Sequence, residues 1–417
     1  MLTFFLAALM AAAPANPKPG GNEGRDFVAL LNQGKWTQAE AMLDATMTGA
    51  LGGGKLEGLW AQVTGKLGAF QKIERVDVDE VQGFRRDTVV CAFASERAGL
   101  RVVVDKQGKV AGFFIVPPTD ASPAASAWKS APYSDPSKFS ETPVTVGALK
   151  LQGALVVPKG VAKFPIVVML AGSGPNDMDE SVSGIKVFRD LAEGLGTHGI
   201  ASLRFEKRTH QHQHVVTVKE EYLDDAAAAI DQAAAVPGVT KVILLGHSLG
   251  AAMAPRVAQG NAKVAGLVLL AGPTFPYAKA IVAQLEYQKK LGYGGAKIDE
   301  LLASAREEAK KIDDPALKPE TPMGHGATGA YFLDLRSYDA VATLGQLKLP
   351  TFLGWGDKDL KVIPDDWAGW KAKLGDRPNL TYKTYPGLQH LFTPVGTADV
   401  EHVSKDVITD LVAWTHK

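Results

Sequence analysis

The run Gly246-His247-Ser248-Leu249-Gly250 follows the apolar stretch Lys241-Val242-Ile243-Leu244-Leu245 and leads into the helix-forming Ala251-Ala252-Met253. A strand that turns sharply into a helix through Gly-x-Ser-x-Gly projects its serine hydroxyl from the sheet, and the flanking glycines leave room where side chains would strike neighbouring backbone. Ser248 is the candidate nucleophile. A serine hydroxyl is a poor nucleophile until a base takes its proton, and that base needs a carboxylate to hold its tautomer and balance the imidazolium charge. Both partners are sought downstream, acid first and histidine second. His390 sits in the turn Tyr385-Pro386-Gly387-Leu388-Gln389-His390 just after the last predicted strand, and it is the candidate base. His402 and His416 fall within or just after a final helical stretch over Val400 to Trp414. His247 adjoins the serine but is held by the turn backbone, so it is read as packing or capping nearby. The acid is sought after Thr351-Phe352-Leu353-Gly354-Trp355-Gly356, where Asp359 is preferred and Asp357 competes. Asp359 is favoured because the loop must travel a little beyond the sheet edge to reach His390.

Attack on a carbonyl places negative charge on its oxygen, which preorganised backbone N–H groups stabilise. One donor is the amide of Leu249, the residue after the nucleophile; the other comes from the glycine-rich loop Leu170-Ala171-Gly172-Ser173-Gly174-Pro175-Asn176, where Ser173 is chosen. That loop lacks the Gly-Lys-Ser/Thr ending of a phosphate loop and the glycine spacing of a dinucleotide site. The chemistry is acyl transfer through an acyl-enzyme, and it requires no cofactor and no metal. His210-Gln211-His212-Gln213-His214 alternates imidazoles but has no supporting carboxylates nearby, so it is read as a solvated loop. Lys207-Arg208, Glu220-Glu221 and Asp224-Asp225 lie near element ends, where paired charges solvate or order a loop, and ion pairing near the site stays open.

The elements that must position these groups alternate strand and helix, the signature of a mostly parallel sheet covered on both faces. Eight strands are predicted, at Pro143–Val146, Gly153–Val157, Ile166–Leu170, Ile200–Phe205, Lys241–Leu245, Gly266–Leu270, Thr351–Gly354 and Leu380–Tyr385. The stretch from about 276 to 346 is largely helical and too long for an ordinary connection, so it is expected to cap the site. Its aromatics Tyr277, Tyr287, Tyr293, Tyr331 and Phe332 either line an acyl pocket or pack within the cap.

Residues 24–117 read as a smaller α+β unit. They carry helical spacing from about Arg25 to Met47 and around Leu56 to Leu67, then β-rich runs at Thr88–Phe93, Leu100–Val104 and Val110–Val116. The Pro, Ala, Ser and Asp of 118–137 read as a linker, leaving 138–417 for the sheet. The opening MLTFFLAALMAAAPA is a short apolar run ending in small residues, so residues 1–15 are expected to be a signal peptide and the protein periplasmic or secreted, although no Lys or Arg precedes Leu2. The run is too short to span a bilayer, so no stable membrane insertion is expected. Lys plus Arg and Asp plus Glu are 45 each, which removes the electrostatic footprint of a nucleic-acid binder and favours a small-molecule partner. A single cysteine, Cys91, excludes an intramolecular disulfide.

Leu170 to Glu180, Arg204-Phe205-Glu206-Lys207-Arg208-Thr209, Tyr222-Leu223-Asp224-Asp225, the Gly246–Gly250 turn, Tyr331-Phe332-Leu333-Asp334-Leu335-Arg336 and Gln389-His390-Leu391-Phe392 together resemble a bacterial α/β-hydrolase group related to the serine aminopeptidase-like and dienelactone-hydrolase-like esterases. The resemblance covers roughly 141–417 and implies an α/β-hydrolase fold with a Ser-Asp-His triad, consistent with Ser248, Asp359 and His390. It departs at Ala171, where these enzymes often have His, and at Met178, where a basic residue is common. The first departure bears on how the oxyanion loop is held. Residues 24–117 resemble a small domain of unknown function that precedes hydrolase domains in some bacterial proteins. The expected activity is a serine hydrolase acting on a carboxylic ester. Cleavage of a short peptide-like substrate by the same groups, or an inactive module binding an envelope ligand, are the alternatives.

Overall fold

Beyond residue 138, the apolar runs pair into one eight-stranded sheet. The structure is a computed structural model describing residues 22–81, 84–116, 128–182, 184–211, 217–293, 295, 298–323, 327–395 and 402–417. The expected signal segment 1–15, the linker residues 118–127, and His212 and His214 lie outside the described residues. The chain divides into two compact units, Met1–Lys129 and Ser130–Lys417.

In the first unit, helices α1 (Glu23–Asn32), α2 (Trp36–Ala41), α3 (Ala45–Leu51) and α4 (Lys55–Leu67) precede an antiparallel meander. Its strands are β1 (Phe70–Val81), β2 (Phe84–Phe93), β3 (Arg97–Val104) and β4 (Val110–Val116), paired in sequence order. The single helical stretch expected over Arg25–Met47 is broken into separate helices. Gly34, at φ +67°, closes α1: its N–H reaches Leu31 O at 3.2 Å and Lys35 N–H reaches Leu30 O at 3.0 Å, a Schellman pair that ends the helix. Strand β1 has no counterpart in the sequence reading, because charges crowd its exposed face and two register irregularities spoil its alternation.

In the second unit, β5 (Phe139–Val146), β6 (Leu151–Pro158) and β7 (Phe164–Leu170) come first, and a short hairpin of β8 (Ser181–Val182) and β9 (Ile185–Lys186) follows. Helix α5 (Val187–Thr197), strand β10 (Ala201–Phe205), the short helix α6 (Arg208–Gln211), a π-helical turn (Lys219–Asp224) and α7 (Asp225–Ala234) come next. Then β11 (Val239–His247) leads through Ser248 into α8 (Leu249–Gln259), followed by β12 (Val264–Leu270). The insertion carries α9 (Tyr277–Lys290), α10 (Ile298–Asp313), α11 (Gly329–Ser337) and α12 (Ala340–Gln346). The chain closes with β13 (Thr351–Gly356), α13 (Pro364–Leu374), β14 (Leu380–Tyr385) and α14 (Lys405–Thr415). His402 therefore precedes the last helix rather than lying within it.

Strand order is β14-β13-β12-β11-β7-β10-β6-β5, parallel from β14 to β10 with β6 antiparallel to both of its neighbours. This is the α/β-hydrolase fold. Side-chain alternation sends Ile166, Val168 and Leu170 of β7 to one face, with Leu244 of β11 and Ile230 of α7. Val167 and Met169 go to the other, with Leu191 of α5 and Ile408 of α14. Burying each such side chain contributes about 1.5–3 kcal/mol, so the two helix layers fix the sheet and thereby the loops at its carboxyl edge. Ser248, Asp359, His390 and the Ala171–Glu180 loop all follow the carboxyl ends of parallel strands, where open α/β sheets hold their ligands.

Candidate active site

Ser248 occupies φ +55°, ψ −122°, a conformation that costs a residue with a side chain about 1–3 kcal/mol. The surroundings force it. Ser248 N–H donates to Leu270 O at 2.9 Å, while its own carbonyl accepts from Ala251 N–H at 3.0 Å as α8 begins. The glycines beside it are steric requirements: a Cβ at Gly246 would lie 2.2 Å from Gly250 O, and one at Gly250 would lie 2.1 Å from Leu170 O. Ser248 lines a cavity of about 1110 Å³ together with Ser173, Leu249 and His390.

Asp359 is buried, and its Oδ2 lies 2.7 Å from His390 Nδ1. Its Oδ1 accepts from Lys361 N–H at 2.7 Å and Val362 N–H at 3.0 Å, so the carboxylate is fixed from both sides. Asp357 faces elsewhere, accepting Gly387 N–H at 2.7 Å and bracing the turn that carries His390. Lys358 N–H donates to Leu388 O at 2.9 Å, and a Cβ at Gly356 would come within 2.3 Å of the same oxygen. The acid loop and the histidine turn are thus zipped together. Ser248 and His390 line the same cavity, and among the described residues no hydrogen bond joins their side chains.

The Ala171–Glu180 loop packs on the nucleophile, since a Cβ at Gly172 would lie 3.0 Å from the Ser248 Cβ. Among the described residues, neither Ser173 N–H nor Leu249 N–H donates to another group. Gly172 is held on both sides. Its N–H donates to Glu180 Oε1 at 2.7 Å, and its carbonyl oxygen accepts from Lys207 Nζ at 3.0 Å, Tyr222 Oη at 2.9 Å and Asn176 Nδ2 at 3.1 Å.

His247 is more than packing. Its Nε2 lies 3.0 Å from the backbone oxygen of His390, and its Nδ1 lies 3.0 Å from Glu180 Oε1. Burial alone would lower its pKa, but the Glu180 carboxylate, the His390 carbonyl and the Asp359 charge together outweigh that and raise it. Nothing in the sequence marked Glu180, eight residues beyond Gly172, as its partner; the only signal was a carboxylate closing the glycine-rich loop.

The charge pairs also differ from a solvated reading. Lys207, Glu221 and Asp225 are buried; Lys207 Nζ lies 3.2 Å from Glu221, and Arg208 pairs with Asp225 at 2.7 Å. Burial pulls the Lys207 ammonium below the usual lysine value against the opposing pull of Glu221. The cap aromatics divide. Tyr277 and Tyr293 line the cavity, whereas Phe332 packs against Tyr277 at 5.6 Å between ring centres and Tyr331 donates to Glu221 Oε2 at 2.7 Å.

The sequence pattern of the family described as serine aminopeptidase, S33, matches residues 182–393, a span containing Ser248, Asp359 and His390. A second pattern, described as a protein of unknown function (DUF3887), matches residues 25–113. Esterase EstD of Thermotoga maritima is 31% identical over 404 residues, covering 94% of each chain. Among solved structures, Est1E from Butyrivibrio proteoclasticus aligns with a TM-score of 0.43 at 16% identity, over 66% of this chain and 96% of its own. The Pyrococcus furiosus esterase Pf2001 aligns with a TM-score of 0.40 at 16% identity, over 60% of this chain and 85% of its own.

Proposed function

This chain belongs to the serine aminopeptidase (S33) family of hydrolases, and we propose that it cleaves carboxylic esters through an acyl-enzyme formed on Ser248. The observation that carries this reading is the 2.7 Å contact between buried Asp359 and His390 Nδ1, with His390 and Ser248 facing one cavity. Asp359 holds the imidazole in the tautomer whose Nε2 is free to accept a proton. Ser248 Oγ attacks the ester carbonyl, its proton passes to His390, and the carbonyl electrons move onto oxygen. The amides of Leu249 and Ser173 stabilise that oxyanion. When the intermediate collapses, the C–O bond breaks and His390 returns the proton to the departing alcohol. Water, deprotonated by the same imidazole, then releases the acid and restores the serine.

The leaving group is argued from the esterase relative, whose likeness extends over both units. The family's description keeps amide cleavage as a second reading. A paired assay separates the two: short-chain nitrophenyl esters should turn over far faster than aminoacyl nitroanilides, and the reverse order would select the peptidase. Ser248→Ala should abolish ester turnover, and unchanged turnover would reject the assignment. Export is proposed from the apolar, small-residue-terminated run of residues 1–15. Full-length precursor recovered intact from the cytoplasmic fraction would contradict it.

A further inference from the structure

We propose that Lys207 and Tyr222 are positioning residues for the oxyanion site: by gripping the carbonyl of Gly172 they aim the N–H of Ser173 into the cavity beside Ser248. The proposal rests on reading Ser248 as the nucleophile. In a trans peptide the C=O of one residue and the N–H of the next share a plane and point in opposite directions. Whatever holds the Gly172 oxygen therefore sets the direction of the Ser173 donor.

Two buried side chains converge on that oxygen, Lys207 Nζ at 3.0 Å and Tyr222 Oη at 2.9 Å. Lys207 also donates to Tyr222 Oη at 2.9 Å, so the phenol accepts from the ammonium and directs its own O–H at the loop. Glu221, 3.2 Å from Lys207 Nζ, balances the buried charge. On the other flank, Glu180 fixes the Gly172 N–H at 2.7 Å, so the peptides on both sides of Gly172 are clamped. Ser173 N–H, on the far side of the clamped peptide, has no acceptor among the described residues. A cation on the carbonyl side also polarises the peptide, which strengthens the N–H as a donor. The clamp reaches into the insertion, because Glu221 Oε2 accepts from Tyr331 of α11 at 2.7 Å.

Tyr222→Phe deletes one hydroxyl from the clamp, and Lys207→Met deletes the ammonium at similar length. The readouts are ester turnover, affinity for an alkyl trifluoromethyl ketone, and thermal unfolding by circular dichroism. The ketone is bound covalently by Ser248 Oγ as a hemiketal whose oxygen carries the negative charge. Losing an oxyanion donor costs about 10² to 10³ in rate, so a misaimed one should lower kcat roughly 10- to 10²-fold. Ketone affinity should fall in parallel with kcat while KM stays within about two-fold, because only the charged oxygen uses the donor. A Tyr222→Phe enzyme with kcat and ketone affinity within about two-fold of wild type overturns the proposal, as does a change confined to unfolding temperature. If Lys207→Met fails to fold, Tyr222→Phe decides alone. Ser248→Ala, assayed alongside, keeps the two ideas apart: retained turnover there would sink the nucleophile, whereas a dead Ser248→Ala with an unaffected Tyr222→Phe would sink only the clamp.

Discussion

Asp357 and Asp359 stand two positions apart, yet one reaches an imidazole and the other a backbone amide. Asp359→Asn should leave the fold intact and lower kcat by about 10⁴, since the amide favours the wrong histidine tautomer. Asp357→Asn keeps an oxygen for Gly387 N–H and should lower kcat less than about ten-fold. Steady-state kinetics on the pair checks both, and the opposite ranking would exchange their roles. His247 gives a residue-scale test in stability. Its pKa is raised in the folded protein, so its interaction with Glu180 stabilises fully below the ordinary histidine value and is lost as pH rises through the raised one. Glu180→Gln should flatten that part of the curve of unfolding temperature against pH. An unchanged slope would mean that the imidazole is neutral throughout.

The turn at Ser248 belongs to the element scale, because its strain is held by a strand and a helix meeting at close range. Gly250→Ala drives a methyl group into Leu170 O and should destabilise by several kcal/mol, in the upper range for single substitutions. Denaturant unfolding checks it, and a change under about 1 kcal/mol would show the turn to be relaxed. The last helix is tied in differently. Buried Asp190 of α5 accepts Val403 N–H at 2.8 Å and lies 2.9 Å from His402 Nδ1, and burial pushes its carboxyl up to about 6 despite both partners. An acid raised in this way contributes stability below the ordinary carboxylate value and loses it as pH climbs through about 6. Thermal melts of the wild type should fall across that window, and those of Asp190→Asn should not.

Over the whole molecule, the two units have separate cores. The small unit's cluster runs from Phe27 to Val110, and both faces of the sheet are filled from Phe139 onward. A chain beginning at Ser130 should therefore fold and melt cooperatively, and failure to do so would show that the first unit is required for folding. Much of the second unit was legible in sequence, because each strand of a doubly covered sheet is a short apolar run between helix patterns. The glycines around Ser248 were legible for the same kind of reason, since a close backbone approach admits no other residue. The buried clamp was not. Lys207, Glu221 and Tyr222 show no periodic pattern, and a charge pair is ordinarily solvated, so only the folded chain brings them to Gly172. Strand β1 was missed because its charges hide a weak alternation at a sheet edge.

The central claim, that Ser248 is the acylated residue, is tested most directly by treating folded protein with a fluorophosphonate and reading the adduct by intact-mass and peptide mass spectrometry. One adduct per chain on the peptide carrying Ser248, absent from Ser248→Ala, is the predicted result. Folded wild-type protein that stays unlabelled, or labelling that persists in Ser248→Ala, would contradict it.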